Sequence, residues 1–504
     1  MQLATILTIL AGCTEEPMGE LVFLRDGLIA PGGDAGQLLA DGRRFVPRPW
    51  EPGQAVSLAG LEAVAPAQPE CRALFSVPLG DVDRLVAAGG GPDTAMAWSP
   101  DGRLAIGSHL GELLVVDGWS GAVLARRRLA ETMVKELAWS GDTLYAAEQS
   151  PDALVYALDP ATLATRWSVR LADFVESSVA PAGEDIYGVY QLPGAYGLTV
   201  LEDGSLLVAA LHSWMDGARK NRSQLLRISA AGEVIGKWPE QAADATFLHP
   251  RVHGKLAVMS VGRSADGPPP AELPIGGVVL IDLDTMQPVM SATAPPLAPY
   301  FKEATVWGAL DVSDDAVLAG YADGRVRLYG LDGALRFEAG SGKPILAGDV
   351  PIHASIGWGF LIPGGLLYAT SNTQIPWGAA APDLRPPTAH PEENTLWSID
   401  RTGQPMWSWT GEQRIEGLSL SADNRHLAVG AGERVSDDRR DLFGGLIFDL
   451  QGEEPAQPQV FCPTEGPVFI HQALAADGRL AMAERPLVGP DGVPHGAYRV
   501  TVVR

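Results

Sequence analysis

Ser99-Pro100-Asp101-Gly102-Arg103-Leu104-Ala105-Ile106-Gly107-Ser108 reads as a tight turn that runs straight into a short apolar strand. Asp and Gly suit the turn, the first through its side-chain acceptor and the second through its freedom at positive φ. The same unit returns as SGDTLYAAE (140–148), EDGSLLVAA (202–210), HGKLAVMS (253–260), SDDAVLAGY (313–321), PGGLLYATS (363–371), SADNRHLAVG (421–430) and ADGRLAMAE (476–484). These are eight copies of one turn-strand unit, spaced by about 40 to 60 residues, which is the period of a repeat architecture.

Each copy has the same surroundings. An alternating strand precedes it, as in TAMAWS (94–99), VKELAWS (134–140), VWGALDVS (306–313) and IEGLSLS (415–421). A hairpin follows it: ELLVVDGWSGAVLARRRL (112–129), LVYALDPATLATRWSVRL (154–171), QLLRISAAGEVIGKWPE (224–240), RVRLYGLDGALRFEAG (325–340), TLWSIDRTGQPMWSWT (395–410) and GLIFDLQGEEPAQPQVF (445–461). Four strands per unit, each with turn residues between, make the blade of a β-propeller. A lone blade leaves both sheet faces apolar, and a ring buries them against neighbours. The eighth copy ends at the C-terminus with its third strand, around Tyr498, while Arg72-ALFSVPL upstream of the first copy is a fourth-strand pattern with nothing before it. Together they complete one blade. The chain is therefore expected to be all-β: a single eight-bladed propeller over 71–504, closed by its N- and C-terminal strands in one sheet.

Ala157-Leu158-Asp159-Pro160-Ala161-Thr162-Leu163-Ala164-Thr165-Arg166-Trp167 resembles the tryptophan-docking repeat of PQQ-like propellers, Ala-x-Asp-x-x-Thr-Gly-x-x-x-Trp, with Leu163 in place of the glycine. Trp407, Trp238 and, more loosely, Phe337 sit at related positions, and the SPDG starts resemble WD40-type units. The resemblance implies an architecture with blades locked by aromatic side chains. It implies no activity.

Leu3 to Ala11 is an apolar run too short to span a bilayer. It ends in Leu10-Ala11-Gly12-Cys13, which resembles the lipobox of bacterial lipoproteins. The resemblance implies a signal peptide over 1–12 and lipidation at Cys13. No Lys or Arg precedes the run, a departure from the usual positive leader. Residues 13–70 read as a tether and a small appendage. Membrane attachment is expected through the lipid alone, and the location is the cell envelope. The two other cysteines, Cys71 and Cys462, fall in outermost strands of the last two blades, where a disulfide would clip the closure.

With 37 Lys+Arg against 61 Asp+Glu, the formal net charge is −24. Such a chain is a poor partner for nucleic acid, whose binding rests on cations displacing counterions. No Cys-Cys pair and no C-x-x-C-H occurs, so PQQ redox chemistry and covalent haem are not expected, and no cofactor or metal is assigned. G-x-S-x-G, H-E-x-x-H and the P-loop are likewise absent.

Blade topology sorts the connections by face. First-to-second and third-to-fourth strand turns share one face and are short throughout. Second-to-third connections and blade-to-blade links share the other, and many are long: 172–191, 212–222, 239–249, 262–275, 295–302, 340–353, 372–394, 432–441 and 485–495. Long loops on a rigid scaffold are where binding resides. Lys135, Glu136, His249, Arg251, Lys302, Glu303, His353, Arg414, Glu416 and His471 lie near the starts of innermost strands on that face and are the candidate ring around the channel mouth. The functional expectation is a lipid-anchored envelope scaffold, monomeric by itself, that binds a protein partner through the long-loop face; it resembles PQQ-like lipoproteins that assist outer-membrane protein assembly. The alternatives are an enzyme (hydrolase, lyase or transferase) or a ligand- or metal-binding protein with its site at the channel mouth.

Overall fold

The computed structural model of the chain describes residues 37–38, 44–45, 71–87, 91–130, 132–177, 188–216, 218–263, 273–294, 305–340, 345–347, 350–352, 354–371, 390, 393–411, 414–432, 443–452, 456–488 and 494–504. Eight four-stranded antiparallel sheets form the ring. Blade 1 covers 94–128, blade 2 133–170, blade 3 194–243, blade 4 245–292, blade 5 305–340, blade 6 355–410 and blade 7 414–463. In each, the chain starts at the channel and works outward strand by strand. Blade 8 takes Val468–Leu474, Leu480–Glu484 and Arg499–Val503 from the C-terminus, and Ala73–Pro78 pairs with Arg499–Val503 as its outermost strand. Neighbouring innermost strands touch all the way round, blade 8 against blade 1 included, so the ring is closed.

The core is divided into seams. One buried apolar cluster fills each gap between blades, from Phe75, Val77, Leu104 and Ile106 between blades 8 and 1 to Ala428, Cys462, Leu480 and Met482 between blades 7 and 8. Within each seam the third or fourth residue of one outermost strand faces the next blade's third-to-fourth connection. Trp167 covers Gly232, where an added Cβ would stand 2.8 Å from the indole, and its Nε1–H donates to the Ala230 carbonyl at 2.9 Å. Phe75 covers Gly121, Met290 covers Gly333 and Phe337 covers Gly403, all four glycines having positive φ. Two seams invert the sizes. Blade 1 offers Ala125, and the seat on blade 2 is Leu163, fully buried at φ 56° in the same cluster. Blade 3 offers Gly236, and the seat on blade 4 is Met286 at φ 52°, close enough that a Cβ on Gly236 would meet Met286 Cγ at 2.6 Å. The bulk has moved from the strand to the turn, which keeps the seam filled. Trp407 joins the cluster that Leu450 packs against. At the last seam the pair is covalent: Cys462 on blade 7 is bonded to Cys71 on blade 8, with Cα atoms 5.2 Å apart. Trp238 does not dock in this way. Gly236 holds that position, and Trp238 lies two residues on, stacked on Phe247 at 5.2 Å.

The closure inside blade 8 is a polar clasp. Arg72 and Arg504 exchange backbone hydrogen bonds of 3.1 and 2.8 Å. Ser76 and Thr501 hydroxyls bond at 2.9 Å, and Thr501 donates to Glu484. The Arg499 guanidinium grips the same buried carboxylate at 2.8 and 3.0 Å, and the Glu465 N–H donates to it. A buried carboxylate is tolerated here because donors surround it.

Some connections expected as loops are strands. Residues 212–222 belong to a hairpin of two eleven-residue strands, Leu206–Asp216 and Ala218–Ile228. The outermost strand of blade 3 runs to Ala243, and blade 4 begins at Ala245, so 239–249 holds a single residue outside strands. Short pairs occupy Ile345–Ala347 with Val350–Ile352, and Leu487–Val488 with Pro494–His495. The expected signal peptide, Cys13 and most of 13–70 lie outside the described residues, which there comprise only the pair Gln37–Leu38 and Arg44–Phe45.

Candidate functional site

Seven of the eight innermost strands carry a register break, at 134/136, 195/198, 248/251, 305/310, 356/358, 415/417 and 468/472. A bulge leaves a residue unpaired and re-aims its side chain. Here the breaks recur toward the long-loop end of the strands that wall the channel. Lys135, His249, Glu416 and His471 all sit in the breaks.

The best-defined cluster spans blades 1 to 4. Lys135 is buried and its ammonium pairs with Asp93, just ahead of the first strand of blade 1. The ring centroids of Tyr190 and Tyr196 lie 5.5 and 5.1 Å from Lys135 Nζ. Burial alone would lower the Lys135 pKa, but Asp93 and Tyr196 outweigh it and hold it above its usual value. The Asp93 N–H donates to His109 Nδ1 at 3.1 Å, and burial lowers the His109 pKa to about 4, so this ring is neutral. Tyr498 OH donates to the Asp93 carbonyl at 2.6 Å and accepts from the His109 N–H at 2.9 Å, tying the last strand of the chain to the mouth. Beside Lys135, burial pushes the Glu136 carboxyl up to about 8, against the pull of the Lys135 charge. Glu136 Oε1 is 3.6 Å from His249 Nδ1. That contact joins blade 2 to blade 4 across blade 3, where Gly197 leaves the space.

The other candidates do not join this cluster in the described structure. Arg251 pairs with Val258 near the turn at His253, so it belongs to the far part of its strand and not to the mouth. The strand starts earlier than the sequence suggests, at Ala245, and the bulge carries Arg251 further along. Its guanidinium lies over the Phe360 ring at 5.3 Å, and burial lowers its pKa despite the charge of Asp311. Arg414 and Glu416 are almost fully buried, with Arg414 Nε 3.1 Å from Glu416 Oε1 within one strand of blade 7. His471 is in the first strand of blade 8. Lys302, Glu303 and His353 lie outside the described residues. Sequence reasoning missed Asp93, His109, Tyr190 and Tyr196. Asp93 was findable, because it lies beside the start of the first strand of blade 1 as the other candidates lie near the starts of theirs; Tyr190 lies on a blade-to-blade link, where no periodicity points to it.

These features define an eight-bladed propeller with a polar channel mouth. No family model matches the chain, and no curated protein matches it in sequence. Among solved structures it is similar to BamB from Moraxella catarrhalis, with a TM-score of 0.51, 16% identity, and coverage of 86% of this chain and 99% of that one. The C-terminal WD40 domain of Sif2 has a TM-score of 0.49 at 12% identity, covering 86% of this chain and 97% of that one. The likeness is one of fold.

Proposed function

We propose that the protein is a cell-envelope scaffold, lipid-anchored at Cys13, that binds a protein partner through its long-loop face. The observation that carries this is the contrast between the two faces. On the short-turn face the turns close on themselves: Asp117, Asp159, Asp282 and Asp400 each accept hydrogen bonds from residues two or three further on. Such turns offer few unsatisfied groups to a partner. On the other face the blade 3 hairpin keeps pairing from His212↔Arg222 to Asp216↔Ala218, past the last pairs that its flanking strands make with it, Gly194↔Leu211 and Ser223↔Ala243. At 3.3 Å per residue that ribbon rises by roughly 15 Å. The Cys71–Cys462 bond agrees with an oxidising compartment.

A photo-crosslinking residue at Trp214 on the ribbon, compared with one at Ala161 on the opposite face, tests the reading in native membranes. A single stoichiometric adduct from Trp214 and none from Ala161 is expected. Equal adducts from both sites, or none from either, would overturn it. Cys13→Ser is expected to release the protein from the membrane fraction.

A further inference from the structure

We propose that Glu136 and His249 together bind a divalent cation of the zinc or copper class at the channel mouth. The two groups come from blades that are not neighbours, yet their facing atoms stand 3.6 Å apart. The approach depends on Gly197 of the blade between them: a Cβ there would lie 2.6 Å from Pro250 Cδ and 3.1 Å from His249 Cα. His249 itself is held at φ 41°, inside the bulge between Leu248 and Arg251. A non-glycine residue in that region of backbone space is kept there only by its surroundings.

The donor set selects the ligand. Carboxylate oxygen and imidazole nitrogen each bind zinc at about 2.0–2.1 Å. A cation at that distance from both atoms would see them at an angle of roughly 120°, near the tetrahedral value. Calcium and magnesium prefer oxygen ligands alone, so the imidazole argues against them. Asp93 takes up the Lys135 charge in a direct ion pair, and Glu136 Oε1 faces His249 Nδ1, so a bound cation would displace the proton that burial keeps on Glu136. Among the described residues no three His, Cys, Asp or Glu gather around one point. Among the described residues the site therefore offers two protein ligands.

The test uses the full chain without a histidine tag, stripped with chelator. Zinc sulfate titrated calorimetrically is expected to bind at one equivalent. His249→Ala and Glu136→Gln are each expected to weaken binding at least tenfold with unchanged urea midpoints. In the unmutated protein, zinc is expected to protect His249 from diethylpyrocarbonate, read by peptide mass mapping, which needs no variant to fold. Absence of zinc binding, equal binding by the variants, or unchanged His249 labelling would overturn the proposal. Crosslinking from Trp214 is independent of all three.

Discussion

Replacing Cys71 and Cys462 together by alanine removes the crosslink that ties blade 7 to the N-terminal strand segment of blade 8. The bond closes a loop of 391 residues in sequence separation. The loop-entropy relation extended to that length gives about 6 kcal/mol, above the upper end of about 5 kcal/mol that measured disulfides reach. The alanines keep both Cβ atoms in a seam still filled by Ala428, Leu480 and Met482, so the lost packing is small. The expected loss is about 4–5 kcal/mol. Equilibrium urea unfolding followed by tryptophan fluorescence reads it as a lower midpoint. The slope should rise as well, because an uncrosslinked unfolded chain exposes more surface. Reductant should shift the unmutated protein the same way and leave the double variant unmoved. If oxidised protein and double variant share one midpoint and one slope, strand pairing alone holds the ring, and the covalent seat at this seam contributes nothing.

At the blade 1–2 seam, Leu163→Gly relieves a positive φ but empties a fully buried site, for an expected loss of about 3 kcal/mol by urea unfolding. Adding Ala125→Trp should recover part of it in a double-mutant cycle, since it restores the arrangement of Trp167 on Gly232. Gly232→Ala, at φ 88° with the indole 2.8 Å from the new Cβ, should cost about 2 kcal/mol and lower the melting temperature. Glu148 is buried, and burial raises its carboxyl pKa to about 7 although Ser150 and Tyr156 donate to it. The folded protein thus holds a proton that the unfolded chain gives up from about pH 4.5 upward, so this group costs stability progressively from about pH 4.5 to 7 and no more beyond. Glu148→Gln should flatten that part of the pH–stability curve by about 2 kcal/mol, measured as the difference between unfolding free energies at pH 5 and pH 7.5.

Blade number and ring closure were legible because both rest on local chemistry. Asp-Gly turns and alternating strands mark each repeat, and the unpaired Arg72-ALFSVPL fits the unpaired last strand around Tyr498. The ribbon in blade 3 was not legible. HSWMDGARKNR lacks apolar alternation, and its strands are held by backbone pairing that composition does not report. The site was half legible. Proximity to the starts of innermost strands picked out Lys135, Glu136 and His249, but Lys135 with Asp93 and Glu136 with His249 are pairs made between blades. Leu163 looked like a departure from the docking repeat, yet it is one half of a size exchange whose other half, Ala125, sits on the preceding blade. A repeat read one unit at a time conceals contacts that each belong to two units.

The hydrogen bonds between Arg72 and Arg504 also fix a direction. Both lie at the short-turn end of blade 8, because its third strand arrives there and its fourth departs from there. The chain therefore enters the ring at Cys71 on that side. A protein tethered through the residues before Cys71 would stand with its plain face toward the bilayer and its ribbon outward. Where a partner meets it would then be set by which way up the ring is mounted, and a longer flexible tether would extend its reach while loosening that orientation.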